Sequence, residues 1–443
     1  MPLVCLGLSH RTAPVEVREH HAFPSSKLGE ALVALHDYDG VIEAAILSTC
    51  GRIEIYAEIE DYETGIDQLK RFLGNFRHAG VTYDMESYMY TLLGRGAIEH
   101  LLRVATGLDS MLIGEAQILG QVKDAYVHAQ RAGSAGKSLH QLFREAISAG
   151  KAARSQTEIG RHSVSVATAA IEMAKSHVGD LEGKNVVVIG AGKMGKTAAK
   201  RLKVEGARLV VLNRSHERAS EVVAKIGAGE AHGLRGLDDA LLTADVLITS
   251  TGATHFIVDT VKATRAMESR PDRPLFIVDI AVPRDVDPEV GSIPGIALAD
   301  IDALAAVVDE TLESRRAAVP LVEEIIDEHL RRLVDWYQTR SAVPVIASLT
   351  QKADSIREAE LERLFSRCPD LSDRQRMLIK GMSLKIVSRL LHSAVTRIRE
   401  KAATDRAEAQ LHARIVDELF DLGAALASPP SATAQSTDEL TIG

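Results

Sequence analysis

The sequence predicts a multidomain α/β protein with three folded parts: an α+β domain at the N-terminus, a parallel α/β domain in the middle and an all-α domain at the C-terminus. The first part mixes helical stretches with short β-like runs, at 4–8, 44–47 and 53–57, which is typical of a compact α+β domain. Residues 185–261 alternate strand-like and helical segments, as a parallel sheet requires. Beyond Asp300 the apolar residues recur only at helical spacing.

We place the domain boundaries where these patterns change. The N-terminal domain and a helical connector cover residues 1–155, the parallel α/β domain covers 156–304, and the helical domain covers 305–425. The remaining residues, 426–443, are mostly small or polar and include two prolines, so this stretch is predicted to be disordered. A chain of 443 residues is too long for one ordinary core, which agrees with several domains.

The composition excludes several classes of protein. Hydrophobic content of 46% and charged content of 26% are those of a globular protein, and the net charge of −9 argues against broad, sequence-blind nucleic-acid binding. The three cysteines, Cys5, Cys50 and Cys368, are too far apart for a disulfide framework or a metal cluster, so no metal site is predicted. No signal peptide or membrane span is recognisable, and a cytoplasmic protein is expected.

A strand followed at once by a glycine-rich turn predicts a dinucleotide site. The apolar run 185–189 leads directly into the turn and then into a helix. The turn consists of Gly190, Ala191, Gly192, Lys193, Met194 and Gly195. Its glycines permit a tight turn and let backbone N–H groups approach a pyrophosphate at the helix N-terminus. The flanking strand and helix favour a Rossmann-type domain over a glycine-rich turn without a ligand.

The end of the next strand indicates which dinucleotide is bound. Asn213, Arg214 and Ser215 stand where an NAD site usually has an Asp or Glu for the ribose 2′-hydroxyl. An arginine accommodates a 2′-phosphate instead, so NADPH is favoured over NADH. The alternative is that Arg214 is a solvated surface arginine. Residues 249–252 close a further strand, and topology alone places them near the nicotinamide.

Cys50 is the candidate nucleophile. It follows an apolar strand, with Gly51 and Arg52 directly after it. A nearby cation favours the reactive thiolate, the glycine removes bulk beside the sulfur, and a guanidinium suits a carboxylate. The run therefore predicts attack on a carbonyl of an acidic substrate. The alternative is a buried structural cysteine on a strand.

The helical end predicts a homodimer. Two sets of apolar residues recur there at helical spacing: Leu321, Ile325, Leu333 and Trp336 or Tyr337 in one, and Leu378, Met382, Ile386, Leu390 and Ala394 in the other. The second set would form an exposed stripe on an isolated helix, and such a stripe usually needs a partner surface. Twofold pairing of two copies is the commonest way to cover it.

Several separate motifs, in one order along the chain, carry a family resemblance. They are residues 7–14 (GLSHRTAP), 48–50 (STC), 108–111 (LDSM), 114–118 (GEAQI), 190–195, 279–285 (DIAVPRD), and Trp336, Arg340 and Pro344. The chain resembles glutamyl-tRNA reductase, the enzyme that starts the five-carbon route to tetrapyrroles, over nearly its whole length up to the tail. One departure is visible, because Gly51 stands where the family usually has Asn.

The resemblance implies the chemistry and the site. Cys50 would form a thioester with the glutamate of glutamyl-tRNA(Glu), and hydride from NADPH would release glutamate-1-semialdehyde. His100 matches a histidine important for activity, although a packed or surface histidine would look the same in sequence. The residues implied for the glutamyl pocket are Thr49, Gly51, Arg52, Ser110, Glu115, Ala116, Gln117 and Gln121. An aminotransferase that receives the product is a candidate partner.

Two other hypotheses stay open at this point. A generic NADP oxidoreductase of the shikimate dehydrogenase kind would not require Cys50 and would leave the helical end unexplained. A dimeric tRNA-binding regulatory protein with a vestigial Rossmann domain would not need the intact glycine-rich turn. If the protein binds tRNA, as a reductase or as a regulatory protein, the best candidate contact surface is a set of basic residues. The alternative is that these residues form a solvated helix face. The set comprises Arg374, Arg376, Lys380, Lys385, Arg389, Arg397, Arg399 and Lys401.

Overall fold

The computed structural model describes residues 2–76, 85–115, 117–160, 165–307, 317–341, 343–404 and 415–420. Contacts divide the chain into two compact units, Pro2–Leu333 and the part from Val334 onward. The first unit contains both sheets, and the second is helical. The predicted boundaries at 155, 304 and 425 stay predictions, and the predicted disordered tail and Ala116 lie outside the described residues.

An antiparallel sheet of four strands forms the N-terminal domain. Its strands are β1 (Leu3–Ser9), β2 (Val41–Ser48), β3 (Arg52–Ile59) and β4 (Tyr90–Leu93), in the order β2-β3-β1-β4. Both β1 and β3 are buried along their whole length, so the sheet is covered on both faces. Three short helices accompany it, namely α1 (Val15–His21), α2 (Leu28–Leu35) and α3 (Tyr62–Asn75).

Four further helices connect this sheet to the next domain. They are α4 (Arg95–Thr106), α5 (Ile118–Arg131), α6 (Lys137–Gln156) and α7 (Val166–Val178). Gly107 ends α4 at a φ of +86°, a conformation that glycine adopts without strain. The buried carboxylate of Glu43 accepts from the backbone N–H groups of Ser138 and Leu139 and thereby caps α6.

A parallel sheet of six strands forms the central domain. Its strands are β5 (Asn185–Ile189), β6 (Arg208–Asn213), β7 (Glu230–Gly233), β8 (Val246–Thr249), β9 (Leu275–Asp279) and β10 (Ile296–Asp300). The order β10-β9-β8-β5-β6-β7 is that of doubly wound dinucleotide-binding sheets, with the first strand at the centre. The helices are α8 (Lys193–Val204), α9 (His216–Ile226), α10 (Leu237–Thr243), α11 (Thr260–Glu268) and α12 (Ile301–Val307). The predicted Rossmann-type domain is confirmed.

The remainder is helical. It consists of α13 (Val319–Ser341), α14 (Val343–Arg367), α15 (Asp373–Thr404) and a short helical segment at 415–420. The predicted fold class, with an α+β domain, a Rossmann-type domain and an all-α domain, is confirmed. Along the described residues no helix combines the length and the apolar character that a membrane crossing needs.

The apolar stripe predicted for α13 is only partly right, because Leu333 is buried as expected but the other buried residues are in a different register. The buried residues are Val322, Ile326, Leu330 and Leu333, whereas Leu321 is 51% exposed. Both sets satisfy helical spacing, since α13 is apolar on more than one side. Packing against the rest of the first unit selects between them.

Candidate active site

Cys50 lies on the three-residue turn between β2 and β3. The hydroxyl of Thr49 accepts from the backbone N–H groups of Gly51 and Arg52, at 3.2 and 3.1 Å, and so fixes the shape of the turn. The backbone N–H of His10 donates to the carbonyl of Gly51. A Cβ built on Gly51 would meet only the His10 imidazole, at 3.8 Å, so crowding by the described residues does not impose a glycine here.

A cation that the sequence analysis did not consider holds the Cys50 turn. Arg18 is fully buried on α1, and its guanidinium donates to the carbonyl oxygens of Cys50 and Ala13. It also binds the carboxylate of Asp302 on α12, and the same carboxylate accepts from the backbone N–H of Val15. The turn that carries the thiol is thereby tied to the helix that follows the parallel sheet.

The Cys50 thiol is not activated in this state. Burial raises its pKa to about 12, the carboxylate of Glu115 contributes to the same rise, and the charge of Arg18 opposes it. The expectation that Arg52 would provide a thiolate-stabilising cation is not met. The charge that lowers the pKa of Cys50 belongs to Arg18, and burial outweighs it.

Arg52 belongs to a buried polar cluster with Glu54 at its centre. The Arg52 guanidinium donates to the carboxylate of Glu54 and to the backbone carbonyl of Asp109. Glu54 also accepts from Tyr56 Oη at 2.6 Å and Tyr90 Oη at 2.5 Å. Burial alone would raise the pKa of Glu54, but the charge of Arg52 and the hydrogen bonds to the carboxylate hold it well below its usual range.

His100 is a member of the same cluster. Its Nε2 lies 2.8 Å from Glu54 Oε1, and its Nδ1 lies 3.6 Å from Asp109 Oδ2. Tyr56 and Tyr90 enclose the ring. Two carboxylates therefore fix the orientation of the imidazole, so it is a packed residue that keeps two polar contacts. The cysteine, carboxylate and histidine atoms of Cys5, Glu54 and His100 lie within 4.8 Å of one another, but Arg52 already neutralises the carboxylate, which leaves little reason for a cation there.

The loop after α4 carries the predicted site residues Ser110 and Glu115. Gly114 has a φ of +76°, and a Cβ there would lie 2.3 Å from the carbonyl oxygen of Ile159, so only glycine fits. The loop buries Ser110 and Glu115, whose Oγ and Oε1 have no hydrogen-bond partner in the described part of the chain. Burial raises the pKa of Glu115. Gln121 is partly exposed on the first turns of α5.

Gln117 connects this loop to the glycine-rich turn. Its Nε2 donates to Met194 Sδ at 3.0 Å. Met194 and Cys50, together with Met111, border the hydrophobic cluster that contains β5 and β9 side chains. The structure therefore brings the thiol, the loop with the orphaned carboxylate and the dinucleotide turn into one region. Ala116 cannot be compared, because it lies outside the described residues.

The glycine-rich turn has the geometry that a pyrophosphate requires. Gly190 has a φ of +112°, and a Cβ on Gly195 would lie 1.9 Å from the Gly190 carbonyl oxygen. The turn leads straight into α8, whose N-terminal N–H groups need acceptors. Asn213 Oδ1 accepts from the backbone N–H of Ala191 and so joins the turn to the end of β6.

Arg214 is exposed directly after β6 and makes no hydrogen bond or ion pair within the part of the chain that the structure describes. Ser215 caps α9, since its hydroxyl accepts from the backbone N–H of Arg218 and donates to Glu217. The arginine is thus available for a ligand, whereas the serine already has local partners.

Sequence reasoning missed a pair of aspartates at the edge of the parallel sheet. Asp279 accepts from the backbone N–H groups of Ala281, Asp285 and Val286 and from Thr249 Oγ1. Asp285 accepts from the backbone N–H of Thr251 at 2.7 Å. Burial, followed by the charge of Asp285, raises the pKa of Asp279 to about 7. The pair fixes the loops next to the predicted nicotinamide position.

Of the residues that sequence reasoning missed, Glu54, the partner of the predicted Arg52, left a weak signal. Arg52 and Glu54 are two apart in a strand and therefore face the same side, and two charges on one side of an otherwise apolar strand indicate a buried ion pair. Arg18 offered no such signal, because its partner Asp302 is 284 residues away.

Comparisons with known proteins agree with this organisation. Three family models match successive parts of the chain: the N-terminal domain of glutamyl-tRNA(Glu) reductase at 6–157, shikimate/quinate 5-dehydrogenase at 172–307, and the dimerisation domain of glutamyl-tRNA(Glu) reductase at 321–422. The shikimate dehydrogenase likeness is confined to the Rossmann-type domain, so it does not account for the rest of the chain.

Full-length relatives extend this result. Glutamyl-tRNA reductase of Moorella thermoacetica is 42% identical over 95% of this chain and 95% of its own. The enzyme of Oceanobacillus iheyensis is 40% identical over 93% of this chain and 90% of its own. The solved structure of glutamyl-tRNA reductase from Methanopyrus kandleri is 33% identical, with a TM-score of 0.53 over 95% of this chain and 99% of that one. The chain therefore belongs to the glutamyl-tRNA reductase family.

Proposed function

We propose that this enzyme reduces glutamyl-tRNA(Glu) to glutamate-1-semialdehyde with NADPH, through a glutamyl thioester on Cys50, as the first step of tetrapyrrole (porphyrin and haem) synthesis. The observation that carries the proposal is that Cys50 and Met194 of the glycine-rich turn pack against the same hydrophobic cluster, with Glu115 close enough for its charge to act on the thiol. An aminoacyl ester is already activated, so no nucleotide triphosphate is needed. A thioester accepts hydride more readily than a carboxylate, so the covalent step divides a difficult reduction into two easier steps.

Glu115 and Ser110 are the proposed contacts of the glutamyl group. An unsatisfied buried carboxylate oxygen costs about 1–3 kcal/mol or more, and the ammonium group of the substrate would supply the missing donor. By resemblance to the family, we also propose Thr49, Gly51, Arg52, Ala116, Gln117 and Gln121 for the same pocket. The contacts of Arg52 with Glu54 and Asp109 indicate that it also orders the pocket wall.

Binding of the substrate would lower the pKa of the thiol by removing one of the two effects that raise it. In the free protein the carboxylate of Glu115 raises the pKa of Cys50. An ammonium group paired with Glu115 cancels that charge, and Arg18 then stabilises the thiolate. Sγ forms a bond to the glutamyl carbonyl carbon, the ester bond to the ribose oxygen breaks, and that oxygen takes up a proton. His100, oriented by Glu54, is the proposed participant in proton transfer.

The glycine-rich turn and Arg214 form the proposed NADPH site. The tight turn from Gly190 to Gly195 and the N-terminus of α8 would hold the pyrophosphate, and the unpartnered guanidinium of Arg214 would hold the 2′-phosphate. When bound, the nicotinamide supplies hydride to the thioester carbonyl. Asn213 positions the turn through Ala191, and Asp279 and Asp285 hold the loops beside it.

The helical unit is the proposed site of homodimer formation. Leu378, Met382, Ile386 and Leu390 are 50–74% exposed on α15, and the matched family model is described as a dimerisation domain. The basic residues of α15 stay a proposed tRNA contact, although Arg376 also lies over the Phe365 ring. The aminotransferase partner and the cytoplasmic location stay predictions.

One experiment tests the chemical proposal. The protein is incubated with glutamyl-tRNA in the absence of NADPH, digested, and searched by mass spectrometry for glutamate attached at Cys50. Addition of NADPH to the isolated adduct should release glutamate-1-semialdehyde. An enzyme that turns over glutamyl-tRNA with no adduct at Cys50 would refute the thioester route.

A further inference from the structure

The helices α5 and α6 carry an exposed row of basic side chains that the function described so far does not use. Over residues 118–156 six lysines and arginines accompany only two carboxylates. We call five of them the basic stripe. They are Lys123, Arg131, Lys137, Arg144 and Lys151, all exposed, and none makes a hydrogen bond or ion pair through its side chain in the described ranges.

The members of the basic stripe lie on one continuous surface. Lys137, Arg144 and Lys151 are seven residues apart, about two helical turns, so they share one side of α6 over roughly 21 Å. Tyr126 joins the two helices, since its ring stacks on Phe143 and its hydroxyl lies 2.7 Å from His140 Nδ1.

The α5 part of the stripe adjoins the α6 part through Tyr126. Burial raises the pKa of the Tyr126 hydroxyl, and the charge of Arg144 opposes that rise, which places this guanidinium near α5. Lys123 precedes Tyr126 by three residues and therefore faces the same way. Arg131 ends α5 and Lys137 begins α6, so these two side chains flank the connecting turn.

The acids on the two helices themselves do not balance this charge. Of the two carboxylates on α5 and α6, Glu145 lies 2.7 Å from His329 Nδ1 and 3.6 Å from Arg332. Asp124 is therefore the one carboxylate on these two helices that is left to neutralise the five cations of the basic stripe. In a chain with a net charge of −9, an unneutralised row of like charges is a local exception, and it attracts an anionic partner.

The stripe leads to the proposed glutamyl pocket. Arg154 follows Lys151 by about one turn, and its guanidinium donates to the Glu115 carbonyl at 2.8 Å. Lys193 of the glycine-rich turn lies over the first turn of α5, with Nζ 3.5 Å from a Cβ built on Gly120. An anionic chain that follows the stripe inward therefore arrives at Glu115.

We propose that the basic stripe is the docking surface for the acceptor stem of the tRNA that carries the glutamyl group. The inference rests on the proposed function, because the pocket at its inner end must receive the esterified 3′ end. Lysine and arginine without carboxylate partners suit phosphates, and recognition of this kind depends on the shape and backbone of the RNA helix rather than on its sequence. Tyr126 and His140 offer partly exposed rings among the cations.

The test reverses three charges at once. A Lys123→Glu, Arg144→Glu, Lys151→Glu variant is compared with a Lys200→Glu, Lys225→Glu, Arg265→Glu variant, whose exposed positions lie on the Rossmann-type domain. The net charge of the two variants is equal. The stripe variant should raise the KM for glutamyl-tRNA about tenfold or more, and should reduce the slope of log Kd against log salt by about 2. The matched variant should change neither.

A small substrate tests thioester formation at Cys50 without involving the proposed docking surface. The glutamyl ester of adenosine lacks the phosphates of the stem, so thioester formation from it at Cys50 should be the same in both variants and the wild type. Unchanged KM for glutamyl-tRNA in the stripe variant, or an equal rise in the matched variant, would overturn the docking surface and leave the chemistry standing. Failure of the wild type to form the adduct from either ester would instead refute the proposed function. If the stripe variant binds tRNA normally but loses binding to an acidic protein, the partner is a protein.

Discussion

The guanidinium of Arg18 donates a hydrogen bond to the backbone carbonyl of Cys50. The same guanidinium binds Asp302, which follows the last strand of the parallel sheet. One buried arginine thus sets the position of the candidate nucleophile and links it to the Rossmann-type domain. Its charge also favours the thiolate, against the effects of burial and of Glu115.

Replacement of Arg18 by Gln should slow alkylation of Cys50, because loss of the cation raises the pKa of the thiol further. It should also lower the unfolding temperature, since Asp302 keeps a charge without its partner. The Arg18→Gln, Asp302→Asn double variant should recover much of the stability but none of the reactivity. Iodoacetamide labelling resolved by mass spectrometry, together with thermal unfolding, measures both. Wild-type reactivity in the single variant would show that Arg18 has no electrostatic role.

Alkylation of Cys50 in the free enzyme should accelerate continuously with pH. With a pKa of about 12, the thiolate fraction at pH 8 is about 10⁻⁴ and rises about tenfold per pH unit. The rate should therefore show no plateau between pH 7 and pH 10. Exposed Cys368 serves as the internal reference for labelling. A plateau for Cys50 below pH 9 would contradict the assigned pKa.

Glu115→Gln should have opposite effects on reactivity and on substrate use. Loss of the carboxylate charge lowers the pKa of Cys50, so alkylation of the free enzyme becomes faster. Loss of the partner for the substrate ammonium raises the KM for glutamyl-tRNA by roughly tenfold or more, since a hydrogen bond to a charged group is worth about 1.5–3 kcal/mol. If alkylation and KM both stay unchanged, Glu115 faces neither the thiol nor the substrate.

Cys50→Ser should abolish reductase turnover and leave NADPH binding intact. A serine hydroxyl is a far weaker nucleophile than a thiolate. Turnover and nucleotide fluorescence titration measure the two properties. Cys368→Ser is the matched control and should behave as wild type. Near-normal turnover in Cys50→Ser would end the thioester mechanism.

Arg214→Ala should weaken NADPH binding much more than NADH binding. A charge-assisted contact with the 2′-phosphate is worth about 1.5–3 kcal/mol, or about 10- to 150-fold in Kd. Arg208→Ala, at the exposed start of β6, removes the same charge from the other end of that strand and should change neither Kd. Equal losses for both cofactors in Arg214→Ala would mean that the arginine does not contact the phosphate.

The Leu378→Glu, Leu390→Glu variant should sediment as a monomer. These side chains are 65% and 74% exposed, so a charge is tolerated on the isolated chain but not at an apolar interface between two copies. Val204→Glu, at a position 73% exposed on α8, should remain a dimer. If the Leu378→Glu, Leu390→Glu variant is still a dimer, the interface lies elsewhere.

The individual strands, helices and turns were predictable because each depends on residues that are close together in the sequence. The glycine-rich turn, flanked by an apolar strand and a helix, specified a dinucleotide-binding unit, and the observed strand order bears this out. The register of α13 was not predictable in this way, because two apolar sets both satisfied helical spacing. Packing decided that Val322 and Ile326 are buried while Leu321 is exposed.

The sequence by itself determined the fold class, the family and the identity of the candidate nucleophile, since each depends on contiguous motifs. Only the tertiary structure decided the chemical state around Cys50. Arg18 and Asp302, 284 residues apart, meet beside the Cys50 turn. Arg52, two residues from Cys50 in sequence, turns instead to Glu54 and Asp109. Coulomb forces and burial depend on distance in space, so neighbours along the chain did not reveal which charges set the pKa of the nucleophile.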